Sequence, residues 1–161
     1  DIRNLIDKPK EMIDFINSVL KPKEKEKKEF GEVYTPPSLI EEMIEKLDNS
    51  YKEKHGKSIF TVPELKWFDP CVGIGNFMVV LYYKLMDGLK EKIENELERK
   101  KHILENMLYM SELGKENVEI TGLIFNGEEY NLNLYEGDTL KLDIKKEWKV
   151  DKFDVVLGNP P

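Results

Sequence analysis

The sequence is poor in cysteine, histidine and tryptophan, and it carries no surplus of positive charge. Its 161 residues include one cysteine, two histidines and two tryptophans, and the formal net charge is −7. The single cysteine, Cys71, excludes an internal disulfide and a thiolate metal cluster, and it favours a reducing, cytoplasmic compartment. Neutralising the phosphates of nucleic acid requires excess lysine and arginine, so this acidic chain does not suit binding to a DNA backbone by itself.

Long apolar segments are missing as well. No run approaches the roughly 18 residues of a membrane-spanning helix, and the N-terminus has no signal-peptide pattern, so we expect no contact with a membrane. His55 and His102 both lie among charged neighbours, and we therefore predict no metal site. The 40% hydrophobic and 35% charged residues are typical of one globular domain with a charged surface.

Residues 1–30 predict an N-terminal helical segment. Apolar residues recur at helical spacing on both sides of Pro9, which predicts either two helical pieces or a helix that begins at the proline. The mixed-charge run KPKEKEKKEF is typical of a solvated linker or helix end. We assign residues 31–161 to a second unit, whose first helix is predicted to begin at Ser38.

The second unit alternates strands with helices. Strands are predicted at 65–68 and 108–113, in YNLNLYEGDTL, and in FDVVLGNPP, where the apolar run has the character of a buried strand. Helices are predicted from Asn76 onward, with a break at Gly88, and in KENVEITGLIFN. This alternation favours an α/β fold, a doubly wound and mostly parallel sheet with helices on both faces, preceded by the N-terminal helices.

The stretch FDPCVGIGNF lies where the first strand gives way to the first helix of the sheet. Ligands of a doubly wound sheet bind beyond the carboxyl ends of the strands. Gly73 and Gly75 can adopt positive φ and permit close approach of a ligand, while Asp69 ends the strand. The spacing is neither that of a phosphate loop nor that of the dinucleotide fingerprint. S-adenosylmethionine suits it, because its amino group and sulfonium are positive and its carboxylate is negative; a plain strand–helix turn is the alternative.

Two further acids follow the next two predicted strands. Glu112 comes at the end of the second and could accept hydrogen bonds from ribose hydroxyls. Asp138 comes at the end of the third and could accept from the amino group of an adenine ring. Either acid alone could equally belong to a loop or a helix N-cap. Their order after the glycine turn favours a shared cleft.

The segment Asn159-Pro160-Pro161 follows the fourth predicted strand. Prolines lack an N–H group, so this stiff loop presents carbonyl acceptors, and Asn159 adds its side-chain oxygen. Two acceptors directed at one –NH₂ group would position it for attack on an electrophilic methyl group. A plain turn is the alternative reading of the three residues, and the preceding glycine turn and acids favour the catalytic one.

Five motifs in this order resemble those of the amino-group (N6-adenine) DNA methyltransferases. They are GEVYTPP, FDPCVGIGNF, LYMSEL, GDTL and VVLGNPP, which together span residues 31–161. The resemblance implies a Rossmann-like fold that binds S-adenosylmethionine, and transfer of its methyl group to a flipped adenine in double-stranded DNA, within a restriction–modification system.

By position, the resemblance also implies the roles of individual residues. Asn159, Pro160 and Pro161 would form the catalytic segment. Tyr34, Thr35 and Pro36 would close over the methionine end of the cofactor, Glu112 would bind the ribose, and Asp138 the adenine amine. The full set implied to bind cofactor is Tyr34, Thr35, Pro36, Asp69, Pro70, Gly73, Gly75, Asn76, Phe77, Glu112, Leu113, Asp138, Thr139 and Leu140. Cys71 is expected to be a packing residue.

The sequence departs from the family pattern in ways that bear on activity. Val72 stands beside the glycine turn where a smaller residue is common, and no aromatic residue follows Pro161. We expect a cofactor-binding fragment that is inactive alone, with DNA contacted through absent regions and a restriction or specificity subunit as a possible partner. Two other readings remain open at this point: a methyltransferase of protein glutamine, and a non-catalytic methyltransferase-like interaction module.

Overall fold

The computed structural model describes residues 1–30 and 35–158, with the backbone alone for residues 20–30. Within these ranges, four strands form one sheet: β1 (Trp67–Asp69), β2 (Leu108–Glu112), β3 (Asn133–Glu136) and β4 (Val155–Val156). Their order is β3-β2-β1-β4, and every neighbouring pair is parallel. The predicted α/β class with a parallel sheet is confirmed, and the carboxyl ends of all four strands meet at one edge.

Six α-helices accompany these strands in the described residues. They are α1 (Pro9–Phe30), α2 (Pro37–His55), α3 (Asn76–Gly88), α4 (Glu96–Asn106), α5 (Lys115–Ile124) and α6 (Ile144–Trp148). The predicted helix starts at Pro9 and Asn76 and the break at Gly88 are confirmed, and α2 begins one residue before Ser38. The short helix α6 was not predicted, because five residues cannot show a helical period.

The two faces of the sheet carry different cores. Trp67, Leu108 and Met110 point to one face, where they are buried with residues of α1 to α5. Phe68 and Tyr109 alternate with them and point to the other face, where they pack with Val150 and with residues of α6. Side chains alternate in this way along every strand. The expectation of helices on both faces is therefore confirmed.

The chain changes faces between β3 and β4. The connections from β1 to β2 and from β2 to β3 pass on the side of α3, α4 and α5, whereas α6 lies on the opposite side. The strand order reverses at this crossing, between β1 and β4, which is where sheets of this kind bind ligands.

The apolar run at the start of FDVVLGNPP forms a strand, but the prediction that this strand is buried is wrong. Val156 is 63% exposed, and Phe153 and Val155 are only partly buried. In the described sheet β4 pairs only with β1, so one edge of β4 has no neighbouring strand to cover it.

The N-terminal segment packs into the same core as the sheet. Ile6 and Met12 are buried, the Asn4 amide donates to the carbonyl of Leu123 in α5, and Lys100 in α4 binds both carboxylate oxygens of Asp7 at 2.7 and 2.8 Å. The separation into residues 1–30 and 31–161 stays a prediction. No helix in the described residues is long and apolar enough to cross a membrane.

Candidate functional site

Strand β1 ends in a buried carboxyl group. Asp69 is 1% exposed, and its Oδ1 accepts a hydrogen bond from the Cys71 amide at 3.0 Å. The pKa of Asp69 is raised to about 7, mainly by burial; the Cys71 N–H opposes the shift, and the nearby Glu112 adds to it. Burial also raises the pKa of the Cys71 thiol. A thiol with a raised pKa stays protonated at neutral pH, which agrees with a packing role for Cys71.

The glycine turn that follows Asp69 is open on one side and tightly packed on the other. Gly73 and Gly75 have φ of +60° and +97°, a region that non-glycine residues rarely adopt. A Cβ at Gly75 would lie 2.9 Å from Cε2 of Phe125, whereas a Cβ at Gly73 would meet nothing within 4 Å. The hydroxyl of Thr121 donates to the Gly73 carbonyl at 2.9 Å. Helix α5 therefore holds the turn from behind and leaves its Gly73 side accessible.

Glu112 joins the end of β2 to this turn. Its Oε1 accepts from the Gly73 amide at 3.0 Å, and its Oε2 accepts from the Gly114 amide at 2.6 Å. A carboxylate oxygen has two lone pairs, so each oxygen can accept one further hydrogen bond. The structure thus brings together Gly73 and Glu112, which are 39 residues apart in the sequence.

The end of β3 lies beside the end of β2. The Gly137 amide donates to the Glu112 carbonyl at 2.9 Å, so Asp138 follows directly after a residue bonded to Glu112. The Asp138 Oδ1 accepts from the Leu140 amide at 3.0 Å and caps the 3-10 turn Thr139–Lys141. The Thr139 hydroxyl bonds within the protein, to the Pro70 carbonyl at 2.6 Å and to Ser111 Oγ at 2.7 Å.

Leu113, Leu140 and Phe77 are all predicted to bind the cofactor, but only the two leucines border this edge. Leu113 is 74% exposed and Leu140 is 94% exposed, immediately after Glu112 and close to Asp138. Phe77, in the first turn of α3, is buried in the main core instead. Leu113 and Leu140 therefore offer uncovered apolar surface at the two acidic strand ends, while Phe77 contributes to packing.

The start of α2 is tied to the start of α3. The Asn76 Nδ2 donates to the Thr35 carbonyl at 3.2 Å, and Pro36 caps α2. Asn76 is buried, and its Oδ1 has no partner among the described residues. Thr35 and Asn76, both predicted to bind the cofactor, thus lie together. Tyr34 falls outside the described residues.

Strand β4 approaches the same edge from the other side. The Leu157 amide donates to the Phe68 carbonyl at 2.9 Å, which sets Gly158 beside Asp69. Gly158 has φ of +150°, and a Cβ there would collide with Asp69 Oδ1. Only glycine fits this position. Asn159, Pro160 and Pro161 fall outside the described residues.

Some residues that build this edge were not predicted from sequence. Thr121 in α5 and Phe125 directly after that helix support the glycine turn, and Ser111 bonds to Thr139. Thr121 and Phe125 are spaced at one helical turn in KENVEITGLIFN, but this spacing also fits ordinary core packing, so no signal singled them out.

Other features of the surface lie away from these strand ends. One cavity of about 540 Å³ is lined by α5 and the segment before β3, and one of about 560 Å³ by α1, α2 and α3. Among the described residues, no cluster of three or more His, Cys, Asp or Glu side chains is arranged to hold a metal ion.

Comparison with known proteins identifies related sequences and structures. The sequence model of the family described as N-6 DNA Methylase matches residues 12–161. An "Uncharacterized adenine-specific methylase" of Mycoplasma pneumoniae (strain ATCC 29342 / M129 / Subtype 1) is 36% identical over 84 residues, which cover 52% of this chain and 19% of that protein.

Solved structures share the fold. A modification subunit of a putative type I restriction enzyme from Vibrio vulnificus YJ016 has a TM-score of 0.57 and 20% identity, over 95% of this chain and 29% of that one. A nuclease-deletion mutant of the Type ISP restriction-modification enzyme LlaGI, in complex with a DNA substrate mimic, has a TM-score of 0.61 and 21% identity, over 81% and 13%. This chain therefore spans a small part of each relative's length.

Proposed function

This chain belongs to the N-6 DNA methylase family, and we propose that it binds S-adenosylmethionine at the carboxyl ends of β1, β2 and β3. In this proposal the bound methyl donor serves methylation of adenine N6 in DNA, as part of a restriction–modification system. The observation that carries the proposal is the bond between Glu112 and the Gly73 amide, because the carboxylate that we propose as the ribose acceptor then lies beside an open glycine turn.

The residues at this edge fit the proposed cofactor. Glu112 keeps one acceptor site on each oxygen, which suits the two neighbouring hydroxyls of a ribose. The space beside Gly73, where a Cβ would meet no other atom, admits close approach of a ligand to the backbone. The exposed Leu113 and Leu140 suit the faces of an adenine ring, and Asp138 suits its amino group.

The buried position of Asp69 bears on its role. At 1% exposure its carboxyl group offers little surface to a ligand. We infer that Asp69 contributes to the site mainly by holding the Cys71 amide and by packing against Gly158, and less by direct contact with the positive groups of the cofactor.

The residues that follow Gly158 would hold the adenine to be methylated. S-adenosylmethionine supplies an electrophilic methyl group when bound. The side-chain oxygen of Asn159 and the carbonyl of Pro160 would accept hydrogen bonds from the adenine amino group and orient its lone pair. An adenine stacked in a duplex cannot be reached in this way, so the base must be flipped out.

The relatives favour DNA adenine over protein glutamine as the substrate. The matching family and the Mycoplasma pneumoniae relative both carry DNA or adenine methylation in their descriptions. Because this chain spans a small part of its relatives, contacts with double-stranded DNA and with a restriction or specificity subunit would be made by other regions. A DNA substrate would place the protein in the cytoplasm.

A direct test is calorimetric titration of this chain with S-adenosylmethionine. We expect saturable binding, and we expect Glu112→Gln to weaken it by about tenfold or more, because an amide can accept on only one atom where the carboxylate accepts on two. Glu53→Gln, at an exposed glutamate of α2, is the matched control and should leave the dissociation constant unchanged. A folded chain that takes up no S-adenosylmethionine would overturn the proposal.

A further inference from the structure

A short chain of hydroxyl groups connects the ends of three strands. The Thr139 hydroxyl lies 2.6 Å from the Pro70 carbonyl and 2.7 Å from Ser111 Oγ. A carbonyl oxygen can only accept, so the single hydroxyl proton of Thr139 goes to Pro70. Thr139 Oγ1 must then accept from Ser111, and the bonds run in one direction from Ser111 through Thr139 to Pro70.

The three residues belong to the three strand ends that form the proposed cofactor cleft. Pro70 follows β1 and begins the glycine turn, Ser111 lies within β2, and Thr139 follows β3 and Asp138. Ser111 is fully buried, so its hydroxyl cannot be compensated by bulk water if its partner is lost. The Ser111 carbonyl also accepts from the Val72 amide at 3.0 Å, which joins β2 to the turn in addition to the bond between Glu112 and the Gly73 amide.

We propose that Thr139 is a positioning residue, whose hydroxyl, oriented by Ser111, fixes the distance between the glycine turn and Asp138. This inference rests on the proposed function. S-adenosylmethionine must reach the glycine turn with its methionine end and Asp138 with its adenine at the same time. A ligand that spans both ends depends on their spacing, whereas a ligand that occupies only the adenosine end does not.

This role differs from the direct cofactor contact that the sequence predicts for Thr139. A residue that touches the nucleoside should affect every ligand that contains the nucleoside. A residue that sets the spacing should affect the complete cofactor and spare the shorter ligand. The ratio of the two affinities therefore separates the roles, and a general loss of stability does not change that ratio.

The test measures calorimetric dissociation constants of S-adenosylmethionine and of 5′-methylthioadenosine, which lacks the amino-acid end. For Thr139→Val, which keeps the shape and removes both hydrogen bonds, we expect about tenfold weaker binding of S-adenosylmethionine but a change below about threefold for 5′-methylthioadenosine. Thr139→Ser keeps the hydroxyl and should restore both values. Ser111→Ala leaves the bond to Pro70 in place. It should also weaken S-adenosylmethionine binding more than 5′-methylthioadenosine binding, but by a smaller factor than Thr139→Val.

Equal losses for the two ligands, or no loss for either, would overturn the positioning role. If circular dichroism shows that Thr139→Val does not fold, Ser111→Ala is compared with Thr139→Ser instead. In that case, equal changes in the two dissociation constants of Ser111→Ala overturn the role. If wild type binds neither ligand, the proposed function fails and this inference fails with it. If wild type binds both ligands but the variants do not lose more affinity for S-adenosylmethionine than for 5′-methylthioadenosine, this inference alone is overturned.

Discussion

Replacing Asp69 by asparagine should stabilise this chain at and above neutral pH. The carboxyl group is almost fully buried, and burial raises its pKa to about 7, with Glu112 adding to the shift. Asparagine has nearly the same shape, and its Oδ1 can still accept from the Cys71 amide. The substitution therefore removes the buried charge and keeps the hydrogen bond.

The size of the effect follows from the difference between the folded and unfolded pKa values. The pKa rises from 3.8 to about 7 on folding, so between these values the folded state holds the proton while the unfolded state releases it. The contribution of Asp69 to the free energy of unfolding is greatest at low pH and falls by about 1.4 kcal/mol per pH unit through this window, to a total of about 4 kcal/mol, and it levels off above pH 7. Asparagine does not titrate and escapes this loss.

The assay is urea unfolding of wild type and Asp69→Asn, followed by circular dichroism at pH 5, 6, 7 and 8. Subtracting the two free energies of unfolding cancels the titration of all other groups that the substitution leaves unchanged. The advantage of the variant should grow by about 1.3 kcal/mol from pH 5 to 6 and by about 1 kcal/mol from pH 6 to 7, where the folded state itself begins to release the proton. Asp14→Asn, at an exposed aspartate of α1, is the control. A difference that stays constant from pH 5 to 8 would refute the reasoning.

Three other substitutions and assays test separate parts of the structure. Asp138→Ala should weaken S-adenosylmethionine binding by about 1–3 kcal/mol, through a lost charge-assisted hydrogen bond; an unchanged dissociation constant in calorimetry removes Asp138 from the pocket. Gly75→Ala should lower the free energy of unfolding by about 1–3 kcal/mol, because φ is +97° and the added Cβ would meet Phe125. Gly122→Ala, in α5 with open space around it, is its control, and equal losses would contradict the steric reason. This chain alone should not shift duplex DNA in a low-salt gel assay, because its net charge is −7; a retarded band would show a basic surface that the net charge conceals.

The sequence was most informative about the order of the elements. Apolar runs flanked by turn residues located all four strands, and the order of the glycine turn, Glu112 and Asp138 predicted one shared edge, because parallel strands end on the same side. Boundaries were less accurate. Strand β1 was predicted at 65–68 and lies at Trp67–Asp69, since the ladder with β2 begins only where Trp67 pairs with Leu108.

The sequence could not reveal which candidate residues already have protein partners. Thr139 and Pro70 are 69 residues apart, and no local pattern indicates that their side chain and carbonyl meet. The depth of Asp69 likewise depends on Gly158, which reaches it only because β4 pairs with β1. Long-range packing of this kind is decided by the tertiary fold, and a motif records only the residue types.

Several residues at this edge stabilise the fold and are also proposed to bind or position the cofactor. Glu112 holds the Gly73 and Gly114 amides, so an alanine at this position would remove a ligand contact and also loosen the turn that forms the pocket. A weaker affinity in such a variant would not identify which loss caused it. Glu112→Gln keeps the shape, but its NH₂ group cannot accept from a backbone amide, so it too would break one of these two bonds. Thr139→Ser keeps both the hydroxyl and its hydrogen bonds, so only a variant of this kind separates a lost contact from a displaced backbone.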